Sequence, residues 1–341
     1  MKLLVAGGAG FIGSNFIRHI ISAYPGYKII NLDMLTYAGN LENLADIENT
    51  PNYSFIKGDI CDRRLIDDIE FDAIINFAAE SHVDRSIMDS YPFLRTNVIG
   101  TQNLLEAARK RGCRILHVST DEVYGSTEDG LFTEKSPLRP NSPYAASKAS
   151  SDLLARAYHE TYMLDVIVTR CSNNYGPYQF PEKLVPLVVV NALGDKPVPV
   201  YGDGRNVRDW IHVLDHCRAL DVVFHRAKPG DVYNIGGREE WQNIDIVKTL
   251  LAVIAEKTGV DKTAMTKKMT FVKDRPGHDR RYALDPSMIE TELGWKPVTS
   301  FGEGLSGTVD WYLSNRQWWG RIISGEYMEY YKLQYGAKPS G

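Results

Sequence analysis

Residues 7–13 read Gly-Gly-Ala-Gly-Phe-Ile-Gly, and their flanks decide what they can be. Before them runs Lys2-Leu3-Leu4-Val5-Ala6, short and apolar enough for a buried parallel strand. After them Phe11, Ile12, Phe16, Ile17, Ile20 and Ile21 recur at helical spacing until Pro25-Gly26 stops the run. Strand, glycine turn and helix in that order leave the helix N-terminus with free N–H groups and a partial positive charge. The absent side chains let a pyrophosphate approach the backbone. The glycines satisfy both G-x-x-G-x-x-G (Gly7, Gly10, Gly13) and G-x-G-x-x-G (Gly8, Gly10, Gly13). A dinucleotide site is therefore expected around Gly7, Gly10, Phe11, Ile12 and Gly13.

The alternation continues downstream. Further strands are expected at 28–33, 53–57, 73–77, 115–119 and 166–170, with helices between them, notably at 94–110 and 144–162. That pattern implies an α/β fold, a Rossmann-like doubly wound parallel sheet covered on both faces. Past Cys171 the pattern loosens, and prolines cluster at 177, 181, 186, 197 and 199. Tyr201-Gly202-Asp203-Gly204 reads as a turn, 232–237 as a strand and turn, 243–257 as an amphipathic helix and 274–282 as a polar, basic loop. The expected division is a dinucleotide-binding domain at 1–172 with a return segment at 205–237. A smaller mixed α/β substrate-binding lobe at 173–204 and 238–335 would close over a ligand. The tail from Gly336 has little to fold against and is expected to fray.

A net charge of −4 excludes the basic face that a nucleic-acid or membrane-surface partner would need. No apolar run approaches a membrane span. The N-terminus enters a strand directly, without a basic region, apolar stretch and cleavage site, so a cytoplasmic protein is expected. Cys61, Cys113, Cys171 and Cys217 are far apart and form no C-x-x-C pair, which reads as reduced thiols rather than a zinc framework. His82 and Asp84 suggest metal ligation, but no other ligand has matching spacing; a hydrogen-bonded loop shaping the site is the better reading, and no metal is expected.

Asp33 ends the second expected strand, twenty residues after Gly13. A carboxylate there accepts from both ribose hydroxyls and repels a 2′-phosphate, which favours NAD over NADP. Asp59 and Ile60 follow the third strand, where they would cover the adenine. Phe77-Ala78-Ala79-Glu80-Ser81 offers small residues where the dinucleotide must pass. Tyr144 and Lys148 are four apart on one helix face, and an ammonium beside a phenol favours the phenolate, a base for an alcohol losing hydride. Thr120, at the end of a strand, can share a hydrogen bond with the same substrate oxygen. Asp121 and Glu122 follow at once and fit a general acid and a general base whose pKa values are pushed apart. Oxidation alone would require only the tyrosine and lysine; an added acid and base permit elimination of water.

Five motifs then occur in order: the glycine turn, Ser-Thr-Asp-Glu-Val-Tyr-Gly from Ser119, Tyr-Ala-Ala-Ser-Lys from Tyr144, Asn-Asn-Tyr-Gly-Pro-Tyr-Gln-Phe-Pro-Glu-Lys-Leu from Asn173, and Asp-Arg-Pro-Gly-His-Asp-Arg-Arg-Tyr from Asp274. With them the chain resembles the extended short-chain dehydrogenases/reductases over residues 1–312, and within these the dTDP-glucose 4,6-dehydratases. The glycine turn and Tyr-x-x-x-Lys mark only the superfamily; the Thr-Asp-Glu triplet and the Asn-Asn segment are more specific. The resemblance implies an NAD-dependent lyase that converts dTDP-glucose to dTDP-4-keto-6-deoxyglucose and water. Tyr144, Lys148 and Thr120 would serve C4 oxidation, Glu122 the C5 proton and Asp121 the departing C6 hydroxyl. It adds Leu35, Thr36, Thr96 and, near the nicotinamide, Asn174 to the cofactor set. For the substrate it implies Ser81 at the sugar, Asn173 in contact with the substrate, Lys183, Leu184, Pro199 and Tyr201 around the nucleoside, and Arg208 and Arg275 on the diphosphate. Asn243, His278 and Tyr282 complete that set. It also implies a homodimer joined through a helix bundle. A UDP-glucose dehydratase, a UDP-sugar 4-epimerase, which does not require Asp121 and Glu122, and a non-catalytic NAD-binding regulator remain open at this point.

Overall fold

The computed structural model describes residues 1–323. The tail from Gly336 and residues 324–335 of the expected smaller lobe lie outside the described residues. The strands described are β1 (Lys2–Ala6), β2 (Lys28–Asp33), β3 (Tyr53–Lys57), β4 (Ala73–Asn76), β5 (Arg114–Thr120), β6 (Val166–Cys171), β7 (Asn173–Tyr175), β8 (Val198–Tyr201), β9 (Val207–His212), β10 (Val232–Ile235), β11 (Glu240–Gln242) and β12 (Met269–Val272). Seven of them form one sheet in the order β10-β6-β5-β4-β1-β2-β3, every pairing parallel. The order reverses between β1 and β4, and the crevice beyond their C-terminal ends is where open α/β sheets bind ligands.

Strand alternation builds two cores from one sheet. Leu3 and Val5 face Phe16, Ile17 and Ile20 of the helix Phe11–Ala23, together with Leu220 and Val223 of the helix Val213–Arg226. Leu4 and Ala6 face Leu104, Leu105 and Ala108 on the other side. A third core lies apart from the sheet. It joins Val185, Val188 and Val189 to Val198 and Val200 of β8, to Ile246, Leu250 and Ile254, and to Phe301, Leu305 and Val309. Around it β11-β9-β7 make a three-stranded sheet and β8 pairs with β12. Only Ser172 separates β6 of the large sheet from β7 of the small one, so residues 171–175 run along the boundary.

Three local expectations differ from the structure. The proline-rich stretch contains a helix, Leu184–Leu193, with eight of ten residues buried. Pro186 lies in its first turn, where no amide hydrogen is required, and burial on all sides erases the amphipathic period. The expected helix at 94–110 opens as a π-helical segment, Leu94–Gly100, before continuing as Thr101–Arg111. Asn97 sits in that wide turn, its amide taken by the backbone of Glu80 and by Ser147. Tyr201 belongs to β8, and the turn is confined to the residues after it, with Gly202 and Gly204 at φ +55° and +71°.

Candidate active site

A cavity of about 340 Å³ opens beyond β1, β4 and β5. Its floor is the glycine turn, where Gly7 and Gly13 have no room for a side chain. Gly7 has φ +77°, and a Cβ there would sit 2.5 Å from the Ala78 nitrogen; at Gly13 it would sit 2.4 Å from the Gly7 carbonyl oxygen. At Gly10 a Cβ would meet only the Gly7 carbonyl, at 3.4 Å, so the cavity side of the helix start stays open. Asp33 faces the same space, its carboxylate accepting from the amides of Ala9 (2.9 Å) and Leu35 (2.8 Å). Burial nonetheless raises its pKa, against those two amides. Phe11, Ile12, Thr36, Asp59, Ile60, Ala78, Ala79, Ser81, Thr96 and Asn174 also line this cavity. Leu35 does not. It takes φ +56° so that its amide can reach Asp33, and Met34 lines the wall in its place.

The residues expected to react line the same cavity. The helix Pro143–Tyr162 starts where Ser142 accepts from the Ala145 amide and proline fills its first position. Its buried face carries Tyr144, Ser147, Lys148, Ser151 and Asp152. Thr120 ends β5 and caps a short 3₁₀ turn, Asp121–Tyr124, by accepting from the Glu122 amide at 3.3 Å. That turn places both carboxyls at the cavity with Tyr144 and Lys148.

Their environments differ. Burial, then the charge of Glu122, holds the Asp121 carboxyl well above the usual range. Glu122 is also raised by burial, but Arg275, Lys183 and Arg208 oppose the rise. Both carboxyls are thus raised, Asp121 without the nearby cations that oppose the rise most strongly at Glu122. Lys148 donates to the Val118 carbonyl at 2.8 Å, and burial lowers it to about 8. Tyr144 departs from the sequence expectation. Its phenol is held well above its ordinary value, by burial first and then by Glu122 and Cys171, with the Thr120 hydroxyl opposing. The lysine does not lower it here because the ammonium is turned to Val118 and desolvation of the phenolate is the larger effect.

Glu122, Asn173, Lys183 and Leu184 border both this cavity and a second one of about 150 Å³. Pro199, Tyr201, Arg208, Asn243, Arg275, His278 and Tyr282 line the second. Ser81, Thr120 and Asp121 stay on the first. Acids and carbonyls brace the second set. Asp84 accepts from the Tyr201 hydroxyl (3.1 Å) and from Arg275 (3.4 Å). Arg208 donates to the Asp279 carbonyl at 2.8 Å and lies 4.1 Å over the Tyr282 ring, whose hydroxyl donates to the Asp279 carboxylate. Lys183 reaches the Ser81 carbonyl at 2.8 Å. His278 pairs with Asp274 at 2.6 Å, and burial, helped by Arg275, lowers it to about 4.

His82 and Asp84 line the second cavity. Among the described residues no three His, Cys, Asp or Glu side chains are grouped to hold a metal. Sequence reasoning passed over Glu80, Cys171, Gln179, Phe180, Glu182 and Trp210, all in the first cavity wall. Glu182 carried a signal, an acid between proline and lysine in an otherwise apolar stretch; its buried carboxylate accepts from Arg85 at 3.3 Å.

A parallel sheet with a glycine cradle at its switch point and a Tyr-x-x-x-Lys helix beside it defines an extended short-chain dehydrogenase/reductase. A family model described as GDP-mannose 4,6 dehydratase matches residues 4–308. The chain is 51% identical over 340 residues to the dTDP-glucose 4,6-dehydratase of Xanthomonas campestris pv. campestris strain B100, covering 95% of this chain and 96% of that protein. It is 50% identical over 356 residues to the Escherichia coli dTDP-glucose 4,6-dehydratase, covering 96% and 98%. The crystal structure of the Streptomyces venezuelae dTDP-glucose 4,6-dehydratase with NAD and dTDP bound superposes with a TM-score of 0.89 at 52% identity, covering 94% of this chain and all of that one. The chain belongs to the dTDP-glucose 4,6-dehydratase family.

Proposed function

We propose that this protein converts dTDP-glucose to dTDP-4-keto-6-deoxyglucose and water with NAD held in the first cavity. The observation that carries this reading is the meeting of two acid groups, Asp121 and Glu122, with Tyr144 and Lys148 in one buried site. The glycine cradle, the amide-bonded Asp33 and the small residues Ala78 and Ala79 fit a dinucleotide. When bound, NAD would supply reversible hydride acceptance. Tyr144, helped by the Thr120 hydroxyl that opposes the rise of its phenol, takes the C4 hydroxyl proton, while the Lys148 ammonium, hydrogen-bonded to Val118, adds positive charge to the site without contacting the phenol. The resulting ketone acidifies C5–H. Glu122, the less elevated of the two carboxyls, removes that proton, protonated Asp121 delivers its own to the departing C6 hydroxyl, and C5 is reprotonated as C6 gains hydride. Arg208 and Arg275 hold the diphosphate in the second cavity, so the sugar reaches the reactive groups through the border at Glu122.

The same reading divides the chain into the dinucleotide-binding and substrate-binding parts given above and places it in the cytoplasm; no described helix is long and apolar enough to cross a membrane. It also makes the protein a homodimer. The exposed apolar side chains of Ile87, Met88, Tyr91, Leu94, Ile99 and Leu153, on helical segments 83–100 and 143–162, support that association. The test is mass spectrometry of product after parallel incubation with dTDP-glucose and UDP-glucose. Loss of one water, with dTDP-glucose preferred, is expected. An unchanged mass with inverted C4 configuration would overturn the dehydratase reading.

A further inference from the structure

Lys148 is a fully buried cation with a carbonyl as its hydrogen-bond partner, so something else must hold its charge. One helical turn further on, and on the same buried face, lies Asp152. Its Oδ2 accepts from the Arg170 Nε at 2.8 Å. Arg170 is itself fixed, donating to the Tyr124 hydroxyl at 2.8 Å, which donates in turn to Asn234 at 2.8 Å.

The other carboxylate oxygen faces His117 Nε2 at 3.8 Å. The tautomer of that histidine can be read outward from the cofactor cavity. Asn76 Oδ1 accepts from the Ala78 amide at 3.0 Å, so Asn76 Nδ2 is the donor at 3.2 Å to His117 Nδ1. Nδ1 is therefore the acceptor, and Nε2 carries the hydrogen, on the Asp152 side but at 3.8 Å beyond hydrogen-bond reach of its Oδ1. Burial, then Lys148 and Arg170, keeps His117 neutral. A polar chain thus crosses β4, β5, the catalytic helix and β6 beneath the reactive groups and converges on one carboxylate.

We propose that Asp152 is the positioning residue for Lys148: held through one oxygen by Arg170, with neutral His117 3.8 Å from the other, its carboxylate is the counter-charge that keeps the lysine an ammonium aimed at Val118. The groups facing this pair are Arg170 and Cys171 from β6, His117 from β5, Tyr124 from the turn after β5, and Tyr144 on the same helix. Among them Asp152 is the first group that opposes the lowering of the lysine by burial. The inference rests on the oxidation step assigned to Tyr144 and Lys148.

The experiment is the pH profile of kcat/KM for dTDP-glucose in wild type, Asp152→Asn, Asp152→Glu and Arg170→Gln, with thermal unfolding of each recorded. Asp152→Asn leaves Lys148 beside Arg170 with no compensating charge. Its alkaline limb, where the ammonium is lost, moves down by about 1 pH unit, and Asp152→Glu restores it. Arg170→Gln frees the carboxylate for the lysine and moves the limb upward. Opposite displacements from two neighbouring positions are not produced by general loosening of the fold. An alkaline limb in Asp152→Asn that superimposes on wild type, or one that moves the same way in both variants, would overturn the proposal while leaving the dehydratase reading intact. Failure of the wild type to dehydrate dTDP-glucose would overturn that reading and the proposal with it.

Discussion

The two cavities recognise their contents by different means. The first is shaped by main chain: glycines without room for a Cβ, alanines, and one carboxylate oriented by two amides. The second is shaped by side chains, Arg208, Arg275, Tyr201 and His278, drawn from distant segments and braced by Asp84, Asp274 and Asp279. A main-chain site is rigid and fails outright when a side chain intrudes. A side-chain site loses its grip one contact at a time. Glu122 stands where the two meet, so cations of the second cavity tune a reactive group of the first.

The largest effect comes from filling the main-chain site. Gly13→Val would drive side-chain atoms into the Gly7 carbonyl, which a Cβ alone would approach at 2.4 Å. We expect protein with native circular dichroism but no NAD absorbance released on denaturation; retention of cofactor would break the distinction between the cavities.

Next come the reactive groups. Tyr144→Phe should suppress the first hydride transfer by about 10²–10⁴-fold, read as NADH formation in a single turnover. Full NADH formation would remove Tyr144 from its role. Glu122→Gln should still oxidise C4 but lose solvent-deuterium uptake at C5. Unchanged uptake there would remove Glu122 as the base.

A smaller effect tests the border. Arg275→Gln removes a proposed diphosphate contact, and KM should rise by about 10–100-fold, the size of one charge-assisted hydrogen bond. Arg275 is also the first cation that opposes the rise of Glu122. The base would then ionise at higher pH, and the acid limb of dehydration should move upward. A change in KM with a fixed acid limb would show that the cavities are electrostatically separate.

The smallest effect concerns the scaffold behind the cradle. Asp221 ties the helix Val213–Arg226 to the helix Phe11–Ala23 and its C-cap through His19 (2.7 Å) and Tyr24 (2.9 Å), and it pairs with His225 one turn on in its own helix at 2.8 Å. Hydrogen bonding to Asp221 raises His225, so its contribution is full below pH ~6.5 and fades as pH rises through the raised value. Burial pushes Asp221 up, but hydrogen bonds from His19, His225 and Tyr24 hold it well below the carboxylate range, so its contribution fades only in strong acid. Asp221→Asn should lower Tm by about 2 °C near pH 6 and by less at pH 9, as expected for partly exposed pairs. An equal loss at both pH values would contradict the brace.

The contrast between the cavities also explains what could be read in advance. The glycine turn, Thr120-Asp121-Glu122 and Tyr144–Lys148 are short local patterns, and a local pattern is enough when a strand end or one helix face places the groups. The partnership of Asp84 with Tyr201 and Arg275 joins residues more than a hundred positions apart, which no local spacing encodes. The helix Leu184–Leu193 escaped because burial on every side leaves no polar face to mark a period. The π-helical turn at Asn97 escaped because its cause, the backbone of Glu80 and the hydroxyl of Ser147, lies in other segments. The raised phenol of Tyr144 escaped because sequence reports a neighbouring lysine but not how deeply both are buried.

The most direct test of the whole account uses dTDP-glucose carrying deuterium at C4. Tyr144, Lys148, Asp121 and Glu122 acting in one closed site on one retained NAD predict a 4-keto-6-deoxy product in which that deuterium has moved to C6. A dehydrated product without deuterium at C6, its label lost to solvent or to free cofactor, would contradict it.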